Sequence, residues 1–112
     1  MTRVIHFEIH AADVARAVAF YQAVFDWQVE DWSEFAGMPY MGVTTGAEDQ
    51  MGINGAIMQR QGPNPEPGGP VAGGVLTMGT GDFDATAAKV AEAGGAVAVP
   101  KHALPGMAWQ GY

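Results

Sequence analysis

A shift of 69 residues, the distance from Asp13 to Asp82, lays this chain on itself without a gap and constrains its fold more than any other feature. Under that shift Gly37-Met38-Pro39-Tyr40-Met41-Gly42 meets Gly106-Met107-Ala108-Trp109-Gln110-Gly111. Identities are few, at Asp13/Asp82, Ala19/Ala88, Gly37/Gly106, Met38/Met107 and Gly42/Gly111. Their placement carries the weight, because they fall at a strand-to-helix corner and at a glycine-punctuated strand in the same order in both halves. A duplicated unit follows, and two copies of one small sheet enclose a cleft between them.

The local patterns agree with a strand-helix-strand-strand-strand unit. Val4 to His10 alternates, with Ile5, Phe7 and Ile9 on one face and His6, Glu8 and His10 on the other, as a half-buried strand does. Asp13 is an N-cap for a helix carrying Val14, Ala17, Val18, Tyr21, Val24 and Phe25 at helical spacing. Trp27 to Trp32, Tyr40 to Thr45 and Gly52 to Gln59 are predicted as the next three strands. Residues 61 to 70 hold four prolines and three glycines and form a linker. Beyond it, Val71 to Gly79 is a strand, Asp82 or Asp84 caps a helix stopped by Gly94-Gly95, and Ala96 to Pro100 and Met107 to Tyr112 are two further strands. The counterpart of the first half's fourth strand would fall near 121 to 127, so the second module lacks its last strand. The expected organisation is module 1 over 1–60, linker 61–70 and an incomplete module 2 over 71–112.

Chemistry is bounded by what the chain does not contain. There is no Cys, so thiolate nucleophiles, disulfides and Cys-ligated metals are excluded. The formal charge is -7, and the five cations are scattered along the chain, a surface that repels phosphate backbones and attracts cationic small molecules. Nucleic acid is therefore not an expected partner. No run approaches the 18 or so apolar residues of a membrane span and no signal-peptide core opens the chain, so a cytoplasmic protein without membrane association is expected. The glycine-rich segments Gly52-Ile53-Asn54-Gly55 and Gly79-Thr80-Gly81-Asp82 lack the spacing of a nucleotide loop. An open edge on the second sheet points to a homodimer.

His6-Phe7-Glu8-Ile9, then Asp13, then Ala19-Phe20-Tyr21-Gln22-Ala23-Val24-Phe25-Asp26-Trp27 resemble the opening strand and helix of the vicinal oxygen chelate superfamily of glyoxalases, bleomycin-resistance proteins and extradiol dioxygenases. Gly81-Asp82-Phe83-Asp84-Ala85 and Ala93-Gly94-Gly95 are similar to its second helix, so the resemblance spans nearly the whole chain. It implies an α+β fold in which tandem βαβββ modules form a cupped, barrel-like mixed sheet with helices outside. It also implies a divalent metal (Ni, Zn, Mn or Fe) held by His, Glu or Gln from strands of both modules. Carried over, the first-strand metal ligand falls on His6. The equivalent position before Asp82 is Val75, and Asn54 to Met58 contain no His, Glu or Gln.

Read from the residues alone, His6 and Glu8 are same-face neighbours on one strand, roughly 6 to 7 Å apart along it, so further ligands would have to come from other strands. Glu8 is the candidate catalytic residue, as a general base if the cleft desolvates it. Under the repeat Thr77 lines up with Glu8, and Thr77, Trp109 and Gln110 are the candidate substrate-pocket residues. His10 and His102 read as loop histidines. Two functions are consistent with this set. One is a glyoxalase-related lyase, isomerase or dioxygenase using a divalent cation to polarise a small substrate. The other is a metal-free small-molecule binding protein of the antibiotic-sequestering kind, with an acidic, aromatic-lined crevice at a dimer interface.

Overall fold

The computed structural model describes residues 2–70 and 72–112. The chain divides into two compact units, Met1–Gly79 and Thr80–Tyr112. The first holds a five-stranded mixed sheet built from β1 (Val4–Ala11), β2 (Gln28–Asp31), β3 (Tyr40–Thr44), β4 (Gly55–Gln59) and β5 (Gly74–Met78), in the order β2-β3-β4-β1-β5. β1 runs parallel to β4 and antiparallel to β5, and β3 is antiparallel to both β2 and β4. Parallel neighbours need a crossover. Here it includes α1 (Val14–Phe25), which packs Val14, Ala17, Val18 and Tyr21 with Val43 and Ile57 of the sheet.

The alternation read in β1 sorts its two faces from His6 onward, while Ile5, expected with Phe7 and Ile9, is 57% exposed at a register irregularity. Phe7, Ile9 and Ala11 join the core beneath α1, around the fully buried Val43 and Ile57. Burying each of those two side chains contributes about 1.5–3 kcal/mol. His6 and Glu8 take the opposite face. Asp13 caps α1 by accepting from the Arg16 N–H at 3.0 Å, and the helix ends at Asp26, whose left-handed backbone (φ 60) donates its N–H to the Gln22 carbonyl. A single helical turn, α2 (Ser33–Ala36), was not expected; Asp31 accepts from the Ser33 N–H at 2.8 Å and sets it up.

β5 joins the first unit's sheet, following the linker that the sequence placed at 61–70. Its return is held by Arg60, whose guanidinium donates to the carbonyls of Ala72 (2.9 Å) and His10 (2.8 Å).

In the second unit Asp82 caps α3 (Phe83–Glu92) by accepting from the Ala85 N–H at 3.0 Å, 69 residues beyond the equivalent bond of Asp13. β6 (His102–Leu104) and β7 (Ala108–Gln110) form a hairpin across Pro105-Gly106, with the Met107 N–H donating to the Leu104 carbonyl. Gly37 and Gly106, also 69 apart, both take a left-handed backbone, φ 73 and φ 72. The strand expected at Ala96 to Pro100 does not form. Val99 and Tyr112 exchange backbone bonds of 2.9 Å in both directions, but the pairing does not extend into a ladder, and the strand begins instead at His102, after Pro100 has removed a donor.

Candidate functional site

β1 is the inner strand between β4 and β5, and its outward face carries the polar residues. Glu8 is 3% exposed, the buried charged residue among those described. Its carboxylate accepts from the Tyr40 hydroxyl at 2.9 Å, and that hydroxyl lies 2.9 Å from His6 Nε2. Tyr40 reaches them from the start of β3, two strands away, because β3 aligns Tyr40 with Met58 of β4 and β4 aligns Met58 with His10 of β1. Small residues between them keep the face open to a long side chain: Ala56 pairs with Glu8 on one side and with Gly42 on the other.

Trp32 closes the β2 side. Its ring lies over Gly42 so closely that a Cβ there would stand 2.6 Å from the indole, and it stacks on Tyr40 with centroids 6.4 Å apart and planes 17° from parallel. On the β5 side Thr77 pairs with His6 and Val75 with Glu8. The register differs from the repeat alignment of Thr77 with Glu8 because antiparallel strands pair residues of constant sum, not of constant difference. A register irregularity between Val4 and His6 adds a residue at Ile5 just before the site, a feature that re-aims side chains.

Burial pushes the His6 imidazole below its ordinary 6.5 and so favours the uncharged ring, against the pull of the Glu8 charge. His10 follows on the same strand, with its Nε2 buried and without a hydrogen-bond partner. Along β1 and β5, beside Tyr21 of α1, runs an open depression of about 450 Å³ whose lining includes Phe7, Glu8, Ile9, Gly74 and Leu76.

Thus His6, Glu8 and Thr77 come together. Trp109 and Gln110 lie on β7 in the second unit, where Gln110 pairs with His102 and Lys101 is 4.8 Å from the Trp109 ring. His102, expected in a loop, is the first residue of β6. Tyr40 is the member the sequence did not single out for its hydroxyl; the signal was its position opening a strand within a glycine-bounded, repeated segment.

The resemblance implies a metal, and the donors test it. Among the described residues no group of three or more His, Cys, Asp or Glu is gathered. The two available donors, His6 and Glu8, are bridged by the Tyr40 hydroxyl at 2.9 Å from each. A shared ion would need that position, at roughly 2.0–2.2 Å from each donor. These residues do not by themselves fit a protein-held divalent ion.

No helix among the described residues is long and apolar enough to cross a membrane. No curated protein matches the chain in sequence. Among solved structures it is similar to a variant of the Streptomyces coelicolor methylmalonyl-CoA epimerase in complex with 2-nitronate-propionyl-CoA. The identity is 21%, the match covers 90% of this chain and 78% of that chain, and the TM-score is 0.57. It is also similar to a methylmalonyl-CoA epimerase in complex with methylmalonyl-CoA and NH4+, at 20% identity over 92% and 79% of the two chains, with a TM-score of 0.56. At these identities the likeness speaks for the fold. The family model of the Glyoxalase/Bleomycin resistance protein/Dioxygenase superfamily matches residues 3–108, and the chain belongs to that superfamily.

Proposed function

We propose that the protein binds a small organic molecule on the sheet face bearing His6, Glu8 and Tyr40, and that this polar chain, not a protein-held metal, recognises it. One observation carries the reading: a carboxylate 3% exposed is held in a hydrogen-bonded series with a tyrosine and a histidine on one sheet face. Taking a carboxylate out of water costs several kcal/mol before its partners offset it, so an apolar residue would serve stability as well or better. Such a group on an otherwise well-formed sheet is a mark of function.

The superfamily includes both catalysts and binding proteins, and the solved relatives hold acyl-CoA ligands. Acyl thioesters are therefore the first ligand class to test, followed by planar cationic compounds, which the charge of -7 attracts and Trp32 can stack. The protein acts as a homodimer in this reading, supported by the apolar surface of α1, where Phe20, Val24 and Phe25 are each more than half exposed.

Metal analysis of the purified protein and its His6→Ala variant, combined with calorimetric titration of methylmalonyl-CoA and of a planar cation, tests the proposal. Substoichiometric metal in both proteins, with ligand heat that disappears in Glu8→Leu, is the expected outcome. One equivalent of Ni, Zn, Mn or Fe in the parent and none in His6→Ala would overturn it in favour of metal-dependent chemistry. Light scattering of the parent checks the dimer.

A further inference from the structure

The site has an asymmetry that determines which atom of His6 meets a ligand. A phenol has one proton to give, and a carboxylate oxygen can only accept, so the Tyr40 hydroxyl spends its proton on Glu8. Its oxygen can then only accept from His6, which makes Nε2 the protonated nitrogen of the neutral ring. The lone pair is left on Nδ1. Among the described residues the buried side-chain nitrogens without partners are His10 Nε2 and Arg60 Nε. His6 Nδ1 makes no hydrogen bond among the described residues, and His6 is half-buried, not buried.

Resting on the binding site proposed above, we infer that His6 presents Nδ1 to the ligand as a fixed hydrogen-bond acceptor, and that Tyr40 is the positioning residue that holds this tautomer by handing its own proton to Glu8. Glu8, at 3% exposure, acts through Tyr40 and does not touch the ligand. The ligand class follows: a molecule bringing a donor, such as a hydroxyl, an amide N–H or an ammonium group, to the sheet face beside Trp32 and Thr77. For an acidic O–H or C–H, the proton would pass to Nδ1 and the electron pair would stay on the ligand. The resulting imidazolium would keep its Nε2–H on Tyr40, whose bond to Glu8 places a negative charge behind it.

Long-range nitrogen NMR of the imidazole rings in the intact, ligand-free protein, at a pH where His6 is neutral, reads the tautomer directly. The parent is expected to show a protonated, slowly exchanging Nε2 and an unprotonated Nδ1. Tyr40→Phe removes the acceptor, and exchange of the Nε2 proton should quicken by roughly fivefold or more, the factor one ordinary hydrogen bond is worth. Glu8→Leu releases the Tyr40 proton for Nε2 to accept, so the signal should move toward the Nδ1–H form, an effect that loss of packing alone would not produce. A parent ring protonated on Nδ1 overturns the inference, and this result needs no variant to fold. An unchanged tautomer in a folded Glu8→Leu protein overturns the role of Tyr40. None of these readings uses a ligand, so they are separate from the titrations that judge the binding function.

Discussion

At the scale of single residues, the site hangs on one hydroxyl. Tyr40→Phe leaves the ring stacked on Trp32 but takes a donor from the buried Glu8 carboxylate, and should cost about 1.5–3 kcal/mol in urea denaturation, as hydrogen bonds to charged groups do. His6 adds a pH dependence whose sign is fixed. Its folded pKa lies below 6.5, the unfolded chain takes up the proton first as pH falls, and its contribution to stability is complete above pH 6.5 and declines below it until the folded ring also protonates. Denaturation midpoints between neutral and mildly acidic pH should therefore fall for the parent and fall less for His6→Gln. The sequence displayed His6 and Glu8 plainly, since strand alternation puts them on one face. Tyr40 was visible only as an aromatic, because its hydroxyl reaches Glu8 through a pairing order, β3 to β4 to β1, that no local pattern encodes.

At the scale of elements, the two aspartate caps were legible because the cap interaction is local: the side chain of Asp13 or Asp82 meets an N–H three residues on. Asp13→Ala and Asp82→Ala should each cost about 0.5–2 kcal/mol, read as a loss of thermal stability. β4 depends on a glycine for a different reason. A Cβ at Gly55 would stand 2.4 Å from the Phe7 carbonyl oxygen, which belongs to backbone and cannot rotate away. Gly55→Ala should separate β4 from β1 and destabilise by about 1–3 kcal/mol, the usual cost of overpacking, while Gly37→Ala, whose Cβ meets nothing within 4 Å, should suffer only from its left-handed backbone. The strand expected at Ala96 to Pro100 illustrates the limit of pattern reading. Alternation identified a segment able to pair, and Ala98 and Val99 do bond to Tyr112, but with a proline at its end the pairing does not grow into a strand.

At the scale of the molecule, the repeat indicated most of the elements and their order, while the structure adds which strands pair. β5 follows residues 61 to 70 in sequence and adds to the sheet of the first unit, a pairing that depends on backbone edges finding each other and leaves no compositional trace. A nick in the linker, at residues 61 to 70, should therefore not part the protein: the two fragments should elute together from a sizing column and separate only in denaturant, since β5 stays hydrogen-bonded along β1. The position of β1 has one more result. From Phe7 to Ile9 it is laddered to a neighbour on each side, and the His10 N–H is also tied to the Gly73 carbonyl, so the amides of that stretch have no frayed edge through which to meet deuterium. They should be among the slowest in the chain to exchange, released only when the whole first unit opens. His6 and Glu8 thus ride on an inner rail of the protein, and under the proposed function any rearrangement on capture of a guest comes from what surrounds β1.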